Sequence, residues 1–145
     1  MIAAVVVIED AGRFLLIEEA KPSCRGTWFL PGGQAAPGET VLDAAVREAR
    51  EESGLDVALA GLMYVDHLVE REGEGFFNRL RFVFVAQATG GQVKVGPDEH
   101  SLRAAWFAPA EMGELPLRTP WVRQMVALHV DGAPLLPMSS FQVSG

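Results

Sequence analysis

The sequence predicts a single domain of the α/β or α+β class. A segment rich in Val and Ile opens the chain, a helix with both caps follows a glycine-rich loop, and further strand segments precede a second helix. Interleaved strands and helices are typical of a sheet that buries its faces against helices. A length of 145 residues suits one hydrophobic core.

The first two strands are expected to form a hairpin. Ile2–Ile8 is rich in β-branched residues, and Phe14–Ile17 continues the pattern after a turn at Asp10–Gly12. From Lys21 to Glu39, repeated Pro and Gly predict a loop that a short apolar stretch, Trp28–Leu30, interrupts.

A helix is predicted over Val41–Ser53, which contains neither Pro nor Gly. Thr40 is the expected N-cap, with Asp43 three residues on, and Gly54 suits the left-handed position that ends a helix. An acidic residue in the first turn also complements the helix dipole.

The second half of the chain continues with strands and one more helix. The segments and their assignments are strands at Val57–Val69 and Leu80–Ala88, a Gly90–Gly91 turn into a strand at Gln92–Val95, a strand at Ala104–Phe107, a turn at Pro109–Met112 and a helix at Pro120–Val130. We expect one domain over residues 1–132 and a C-terminal tail over 133–145 that lies across the domain or frays.

Composition narrows the classes of partner. A formal charge of −7 argues against a surface that grips nucleic acid through its phosphates. The single cysteine, Cys24, forms no intramolecular disulfide, which suits a reducing cytoplasm. Glu9 and Asp10 break the first apolar run early, so no membrane span and no signal peptide are expected there.

The helix combines an apolar stripe with a crowded acidic face. At about 100° per residue, the stripe consists of Leu42, Ala45, Val46 and Ala49. Glu48, Glu51 and Glu52 lie beside it, towards the C-terminal end, where the helix dipole disfavours anions. Two interpretations remain open at this point: a solvated acidic face with Arg47 and Arg50 as partners, or a site for a hard cation such as Mg²⁺ or Mn²⁺.

The spacing around this helix resembles a known signature. The segment GGQAAPGETVLDAAVREAREESGL is similar to the box of the Nudix hydrolases (MutT-like), G-x5-E-x7-R-E-U-x-E-E-x-G-U, where U is a bulky aliphatic residue. The matching positions are Gly33, Glu39, Arg47, Glu48, Glu51, Glu52, Gly54 and Leu55. Ala49 departs from the pattern because it is smaller than the aliphatic residue required, which affects packing rather than chemistry.

The resemblance implies a Nudix fold, a mixed β-sheet sandwiched between helices, and a set of roles. Glu48, Glu51 and Glu52 would bind Mg²⁺ or Mn²⁺, and Arg47 would orient a carboxylate. The supporting residues implied are Glu39, through water or a loop contact, and Gly32, Gly33 and Gly38, which would let the backbone approach a diphosphate.

The implied reaction is hydrolysis of a pyrophosphate bond in a nucleoside diphosphate linked to X. Water attacks one phosphorus, and the metal neutralises the phosphate oxygens. In the family the general base is a glutamate of the box or an acidic residue of a later loop. Here GPDEHSL offers Glu99 first and Asp98 second, with solvated turn residues as the alternative interpretation.

The substrate stays open at the level of sequence. The segments WFLPGGQAAPGET and SLRAAWF are similar to the family branch that hydrolyses 8-oxoguanine nucleoside diphosphates. ADP-ribose, another nucleotide sugar or a nucleoside triphosphate are alternatives. Aromatic candidates for base stacking are Trp28, Phe29, Phe76, Phe77 and Phe82, and basic candidates for phosphate contacts are Lys21, Arg25 and Arg13.

Two other classes of protein and one oligomeric state are also considered. A non-catalytic nucleotide-binding module of the same fold would usually lack some box glutamates, and this chain has all three. A hydrolase with a side-chain nucleophile would need a motif such as G-x-S-x-G, which does not occur. The resemblance also leaves a homodimer open.

Overall fold

A computed structural model describes the chain from Met1 to Gly145. In chain order its elements are β1 (Ile2–Asp10), β2 (Arg13–Glu18), β3 (Trp28–Phe29), β4 (Gly32–Gln34), α1 (Val41–Ser53), β5 (Leu55–Glu72), β6 (Gly75–Gly91), β7 (Arg103–Phe107), α2 (Trp121–Val130) and β8 (Leu136–Pro137). The predicted β1–β2 hairpin, both helices and the strands at β5, β6 and β7 are confirmed.

The strands form one mixed sheet. Its main path runs β3-β2-β1-β6-β5-β8, while β4 also pairs with β1 and β7 also pairs with β2. Strand β1 runs parallel to β6, whereas its pairings with β2 and β4 are antiparallel. The long β5–β6 hairpin is antiparallel throughout and carries three register shifts.

The two helices cover opposite faces of this sheet. Ala4, Val6 and Ile8 of β1 point to the face that packs against α1. Val5 and Val7 point to the other face and pack against α2. This alternation follows from the two-residue period of a strand. The predicted fold class, a mixed sheet sandwiched between helices, is confirmed.

Two sequence predictions about local structure are wrong. Gly90 and Gly91 do not turn into a new strand at Gln92–Val95, because both glycines stay in β6 and pair with the start of β5. The segment that follows runs along the end of α1, where the Lys94 N–H donates to the Ser53 carbonyl at 2.8 Å.

The loop predicted from Lys21 to Glu39 also contains the short strands β3 and β4. Strand β4 pairs through backbone groups of glycines, which leave no apolar alternation in the sequence.

The C-terminal segment lies against the sheet. Strand β8 pairs with Gly61 and Leu62 of β5. Further on, the Phe141 ring packs edge-on against Phe82 and Phe84, at centroid distances of 5.9 and 5.7 Å. Phe82 and Phe84 share the α1 face, as their spacing predicts. No helix in the structure has the length and apolar character needed to cross a membrane.

Candidate active site

Helix α1 is fixed at both ends by the predicted caps. The Thr40 Oγ1 accepts a hydrogen bond from the Asp43 N–H at 3.0 Å. Gly54 adopts a left-handed φ of 84°, and its N–H donates to the Arg50 carbonyl. A Cβ at Gly54 would also lie 2.1 Å from the Gln92 carbonyl oxygen, so glycine is required there.

The buried arc of α1 differs from the predicted stripe. Ala45 and Ala49 are buried as expected, but Val46 is exposed and Ala44 takes its place in the core. The arc is rotated towards Glu52, which is itself buried. Strand β4 accounts for this rotation, because its backbone contacts the glutamate side of the helix.

Arg47 connects the acidic residues of the helix to the preceding loop. Its Nε and Nη2 donate to the two carboxylate oxygens of Glu39, at 2.7 and 2.8 Å. Its Nη1 donates to Glu48 Oε1 at 2.9 Å and to Glu51 Oε2 at 3.0 Å. The Gln34 carbonyl accepts from Nη2 at 3.1 Å. One guanidinium therefore donates to three carboxylates, and its planar fork of donors suits that arrangement.

This pairing favours the charged forms of both partners. The Arg47 hydrogen bonds, followed by one from the Ala36 N–H, lower the pKa of Glu39 to about 2. The Glu39 hydrogen bonds raise the pKa of Arg47 above its ordinary value. Glu39 thus supports the site by holding Arg47, and it does so through a direct bond.

Glu52 lies in a different environment from Glu48 and Glu51. Its side chain points into the protein, and the residue is only 7% exposed. Oε1 accepts one hydrogen bond, from the Gly32 N–H at 2.9 Å. Burial raises the pKa of Glu52 to about 8, and the negative charges of Glu19 and Glu48 act in the same direction. A buried carboxylate without a cationic partner is a common feature of functional sites.

The glycines of β4 allow the strand to lie directly against α1. A Cβ on Gly33 would lie 2.4 Å from Glu48 Oε1, and a Cβ on Gly32 would lie 2.4 Å from the Ala4 carbonyl oxygen. Any side chain at either position would therefore displace a carboxylate or a neighbouring strand. The structure thus gives Gly32 and Gly33 a packing role, and their predicted contact with a diphosphate stays a prediction.

Lys94, which the sequence analysis did not single out, binds the C-terminal end of α1. The Lys94 ammonium donates to the Glu51 carbonyl at 2.5 Å and to Ser101 Oγ at 3.0 Å, and it pairs with Asp98. Ser101 Oγ donates in turn to the Glu52 carbonyl at 2.6 Å. The Lys94 hydrogen bond lowers the pKa of Asp98 to about 2. A cation at this end opposes the helix dipole, which otherwise disfavours the box glutamates.

Glu99 lies at the surface of the loop that Lys94 and Ser101 anchor. Its side chain is 84% exposed, and Oε1 lies 3.2 Å from His100 Nε2. On the other side of the ring, His100 Nδ1 lies 3.7 Å from Glu51 Oε2. The structure therefore brings Glu99 towards Glu51 through an imidazole and not by direct contact. Asp98 is engaged by Lys94, which leaves Glu99 the freer of the two candidates for a base.

Known protein families and structures resemble this chain over nearly its whole length. The NUDIX domain model matches residues 1–129. The chain belongs to the Nudix family. The predicted resemblance is therefore confirmed. A Nudix hydrolase from Nitrosomonas europaea superimposes with a TM-score of 0.83 at 28% identity, over 99% of this chain and 96% of that one.

Curated members of the family differ in what they act on. The human 8-oxo-dGDP phosphatase NUDT18 is 40% identical over 125 residues, which is 85% of this chain and 36% of that protein. An ADP-ribose pyrophosphatase from Methanocaldococcus jannaschii is 36% identical over 92 residues, 63% of this chain and 53% of that protein. The chain thus spans about a third of the length of the human relative.

The Nudix box of this chain, Gly33–Leu55, offers donors that suit a hard divalent cation. Carboxylate oxygens are the ligands that Mg²⁺ and Mn²⁺ prefer. Arg47 engages one oxygen of Glu48 and one of Glu51, which leaves Glu48 Oε2 and Glu51 Oε1 free of it. A cation beside Glu52 would also favour the charged form that burial disfavours. The residues present therefore fit such an ion.

The arrangement seen here is not a closed metal cage. No three His, Cys, Asp or Glu side chains converge on one point. The pairing of Glu48 and Glu51 with Arg47 explains this separation, because the guanidinium lies between the two carboxylates.

A second residue that sequence reasoning missed is Glu19. It follows β2 directly and is 4% exposed, and no periodicity or motif marks it. Of the predicted phosphate contacts, Lys21 lies near enough for its charge to act on Glu52. Of the aromatic candidates, Trp28 is buried in the core, and Phe76 is largely exposed at the tip of the β5–β6 hairpin.

Proposed function

We propose that this chain is a Mg²⁺- or Mn²⁺-dependent Nudix hydrolase that cleaves the pyrophosphate bond of a nucleoside diphosphate linked to X. The observation that carries the proposal is the group of three box carboxylates on α1, of which Glu52 is buried without a cationic partner. A bound metal supplies charge neutralisation and an activated water.

The residues of the chain have distinct tasks in this reaction. Glu48, Glu51 and Glu52 hold the metal, and Arg47 keeps Glu48 and Glu51 in place through its bonds to both. Gly32 fixes Glu52 through its backbone N–H. Glu99 accepts a proton from the attacking water, with His100 between it and Glu51. Water forms a bond to one phosphorus while the bridging oxygen leaves with the other phosphate.

The first candidate substrate is an 8-oxoguanine nucleoside diphosphate, which would yield the monophosphate and inorganic phosphate. The support is 40% identity to the human 8-oxo-dGDP phosphatase over 85% of this chain. ADP-ribose is the second candidate, supported by 36% identity to an ADP-ribose pyrophosphatase over 63% of the chain. Because loops outside the box choose X, these similarities support a class of substrate and no single compound.

A panel of nucleotides tests the proposal. The purified chain is incubated with Mg²⁺ and with dGDP, 8-oxo-dGDP, 8-oxo-dGTP, ADP-ribose or a UDP-sugar, and released phosphate, pyrophosphate and nucleotide are measured. We expect release from at least one compound, and fastest release from 8-oxo-dGDP. Tight binding of these nucleotides without any release would instead favour the alternative of a non-catalytic binding module.

Three further expectations remain proposals. We place the protein in the cytoplasm because its only cysteine, Cys24, is unpaired. We retain 1–132 as the Nudix domain and 133–145 as its tail. A homodimer is the assembly that the family resemblance leaves open, and the mass in solution from light scattering decides between monomer and dimer.

A further inference from the structure

Glu19 is a buried carboxylate that the reaction above does not use. Its two polar side-chain neighbours are both distant: Cys24 Sγ lies 3.8 Å from Oε2, and Arg118 Nη1 lies 3.4 Å from Oε1. Burial of a carboxylate with such weak partners costs free energy. Such a group is a candidate for a functional role where it lies beside a reactive site.

The position of Glu19 is beside the Nudix box. Its negative charge, like that of Glu48, raises the pKa of Glu52, whereas the positive charge of Lys21 lowers it. The backbone around it is also fixed, because the Glu19 N–H donates to the Thr27 carbonyl at 2.8 Å. Glu19 thus contacts Arg118 and lies near enough to Glu52 for its charge to act there.

Arg118 is anchored by its backbone and only lightly held by its side chain. Its N–H donates to the Trp28 carbonyl at 2.9 Å, and its guanidinium carbon lies 5.1 Å from the centre of the Phe29 ring. The Glu19 contact at 3.4 Å is its one side-chain hydrogen bond. A guanidinium has five N–H donors, so most of them remain open to an anion.

The strand that Arg118 contacts leads directly to the site. Phe29 precedes by three residues the glycine, Gly32, whose N–H binds Glu52. A guanidinium stacked on an aromatic ring is well suited to bidentate recognition of phosphate. The side chain is 38% exposed, so a ligand has access to it.

We propose that Arg118, which lies over Phe29 and is oriented by its contact with Glu19, binds the phosphate chain of the substrate from outside the Nudix box. This inference rests on the proposed function insofar as the ligand is a nucleoside diphosphate. In this arrangement Arg118 adds a positive charge from the segment that precedes α2. Glu19 is a positioning residue, since it acts on the ligand through Arg118.

The chain contains a close counterpart that serves as a control. Arg103 pairs with Glu18 at 3.2 Å, and its guanidinium carbon lies 5.1 Å from the Trp28 ring centre. Arg103 therefore makes the same kinds of contact as Arg118. Its partners, Glu18 and Trp28, each precede by one residue the partners of Arg118, Glu19 and Phe29. Successive side chains of an extended segment point in opposite directions, so Glu18 and Glu19 face different surroundings. Glu18 is not among the groups that shift the pKa of Glu52.

The first experiment measures binding, so it does not depend on turnover. The probe is the α,β-methylene analogue of dGDP with Mg²⁺, titrated calorimetrically into the wild type and the variants Arg118→Met, Arg118→Lys and Arg103→Met. We expect Arg118→Met to weaken binding by about 10- to 100-fold, as for loss of a charge-assisted hydrogen bond. Arg118→Lys should recover part of this loss, and Arg103→Met should stay within about twofold of the wild type.

Two results would overturn the assignment of Arg118. One is wild-type affinity in Arg118→Met, and the other is an equal loss in Arg103→Met, which would indicate a nonspecific effect of surface charge. Failure of the proposed function has a different signature: the wild type binds the analogue, yet releases no product from any nucleotide of the panel. In that case the difference between Arg118→Met and Arg103→Met still decides the role of Arg118.

A double-mutant cycle tests the positioning role of Glu19. Glu19→Gln keeps the shape of the buried side chain, and the melting temperature of the variant checks its fold. We expect Glu19→Gln to weaken binding by about threefold in the wild type and to have no such effect in Arg118→Met, because coupled residues are not additive. An equal effect in both backgrounds would show that Glu19 does not act through Arg118.

Discussion

Two carboxylate environments lie one turn apart on helix α1. Glu48 and Glu51 are partly exposed and share the Nη1 of Arg47, which also binds Glu39. Glu52 is buried at the other edge of the group of box glutamates and receives a single hydrogen bond, from the Gly32 N–H. We call these the paired side and the buried side of the Nudix box.

The difference explains how so many carboxylates are tolerated on one helix. On the paired side a single guanidinium binds three carboxylates, and its hydrogen bonds lower the pKa of Glu39 to about 2. On the buried side Glu52 forms no ion pair, and burial raises its pKa to about 8 even though the charge of Lys21 acts in the opposite direction. The carboxylates of the paired side therefore have a cationic partner within the chain, whereas the proposed metal ion would supply one on the buried side.

The largest expected effect comes from the buried side. Glu52→Gln removes the charge but keeps a carbonyl oxygen that accepts from the Gly32 N–H. We expect kcat to fall by at least about 100-fold, as for loss of a preorganised electrostatic contact. The melting temperature of the metal-free protein at pH 7 should change little, because Glu52, with a pKa of about 8, is already largely neutral there and Gln keeps its shape.

Steady-state kinetics and thermal unfolding measure both quantities. Glu74→Gln, an identical change at an exposed position in the β5–β6 turn, is the control. Unchanged turnover in Glu52→Gln would remove this residue from the mechanism.

The next effect concerns the loop that approaches the paired side. We expect Glu99→Gln to lower kcat about tenfold, or about 1.4 kcal/mol of barrier, because the variant cannot accept a proton. A variant with wild-type turnover would place the base elsewhere, and Asp98→Asn would then be measured next.

The stability of the metal-free protein should depend on pH through Glu52. Its pKa is raised on folding, so the folded state binds the proton more tightly and stability falls as pH rises from about 4.5 to 8. Between pH 6 and pH 8 we expect a loss of about 2 kcal/mol in the free energy of unfolding.

Denaturant unfolding in a chelator measures this loss, and Glu52→Gln should abolish it. Glu39 and Asp98 do not contribute in that range, because their pKa values are lowered to about 2. If the free energy of unfolding of Glu52→Gln still falls between pH 6 and pH 8, the pH dependence belongs to another group.

The last effect concerns the paired side. Arg47→Met leaves Glu39, Glu48 and Glu51 without their shared partner, and we expect it to lower stability by about 1 to 2 kcal/mol after solvent screening. The control is Arg50→Met, because Arg50 lies on the same helix and pairs with Asp56 at the surface. Equal melting temperatures for Arg47→Met and Arg50→Met would contradict the stabilising role that we assign to Arg47 on the paired side.

Local signals in the sequence predicted the frame of the site well. Thr40 and Gly54 act within one turn of the helix they cap, so their residue types reveal the geometry directly. The spacing of the box glutamates has the same local origin. Val46 was misplaced in the predicted stripe because the contact with β4 rotates the buried arc towards Glu52, and a count of apolar residues does not include that contact.

The residues that sequence reasoning missed act across long separations. Glu19 and Arg118 meet from opposite ends of the chain, and Lys94 reaches the end of α1 only after the whole β5–β6 hairpin. None of these three belongs to a periodic pattern or to the box. Their charges look like ordinary surface charges until the fold brings Lys94 to the Glu51 carbonyl, Glu19 near Glu52 and Arg118 to Glu19.

The most direct test of the central claim is hydrolysis of 8-oxo-dGDP, or of the best substrate of the panel, with and without free divalent metal. We expect turnover to stop in excess chelator and to return when Mg²⁺ or Mn²⁺ is added in excess over the chelator. Glu52→Gln should remain inactive under both conditions. Turnover at the full rate in excess chelator would contradict a metal-dependent Nudix mechanism.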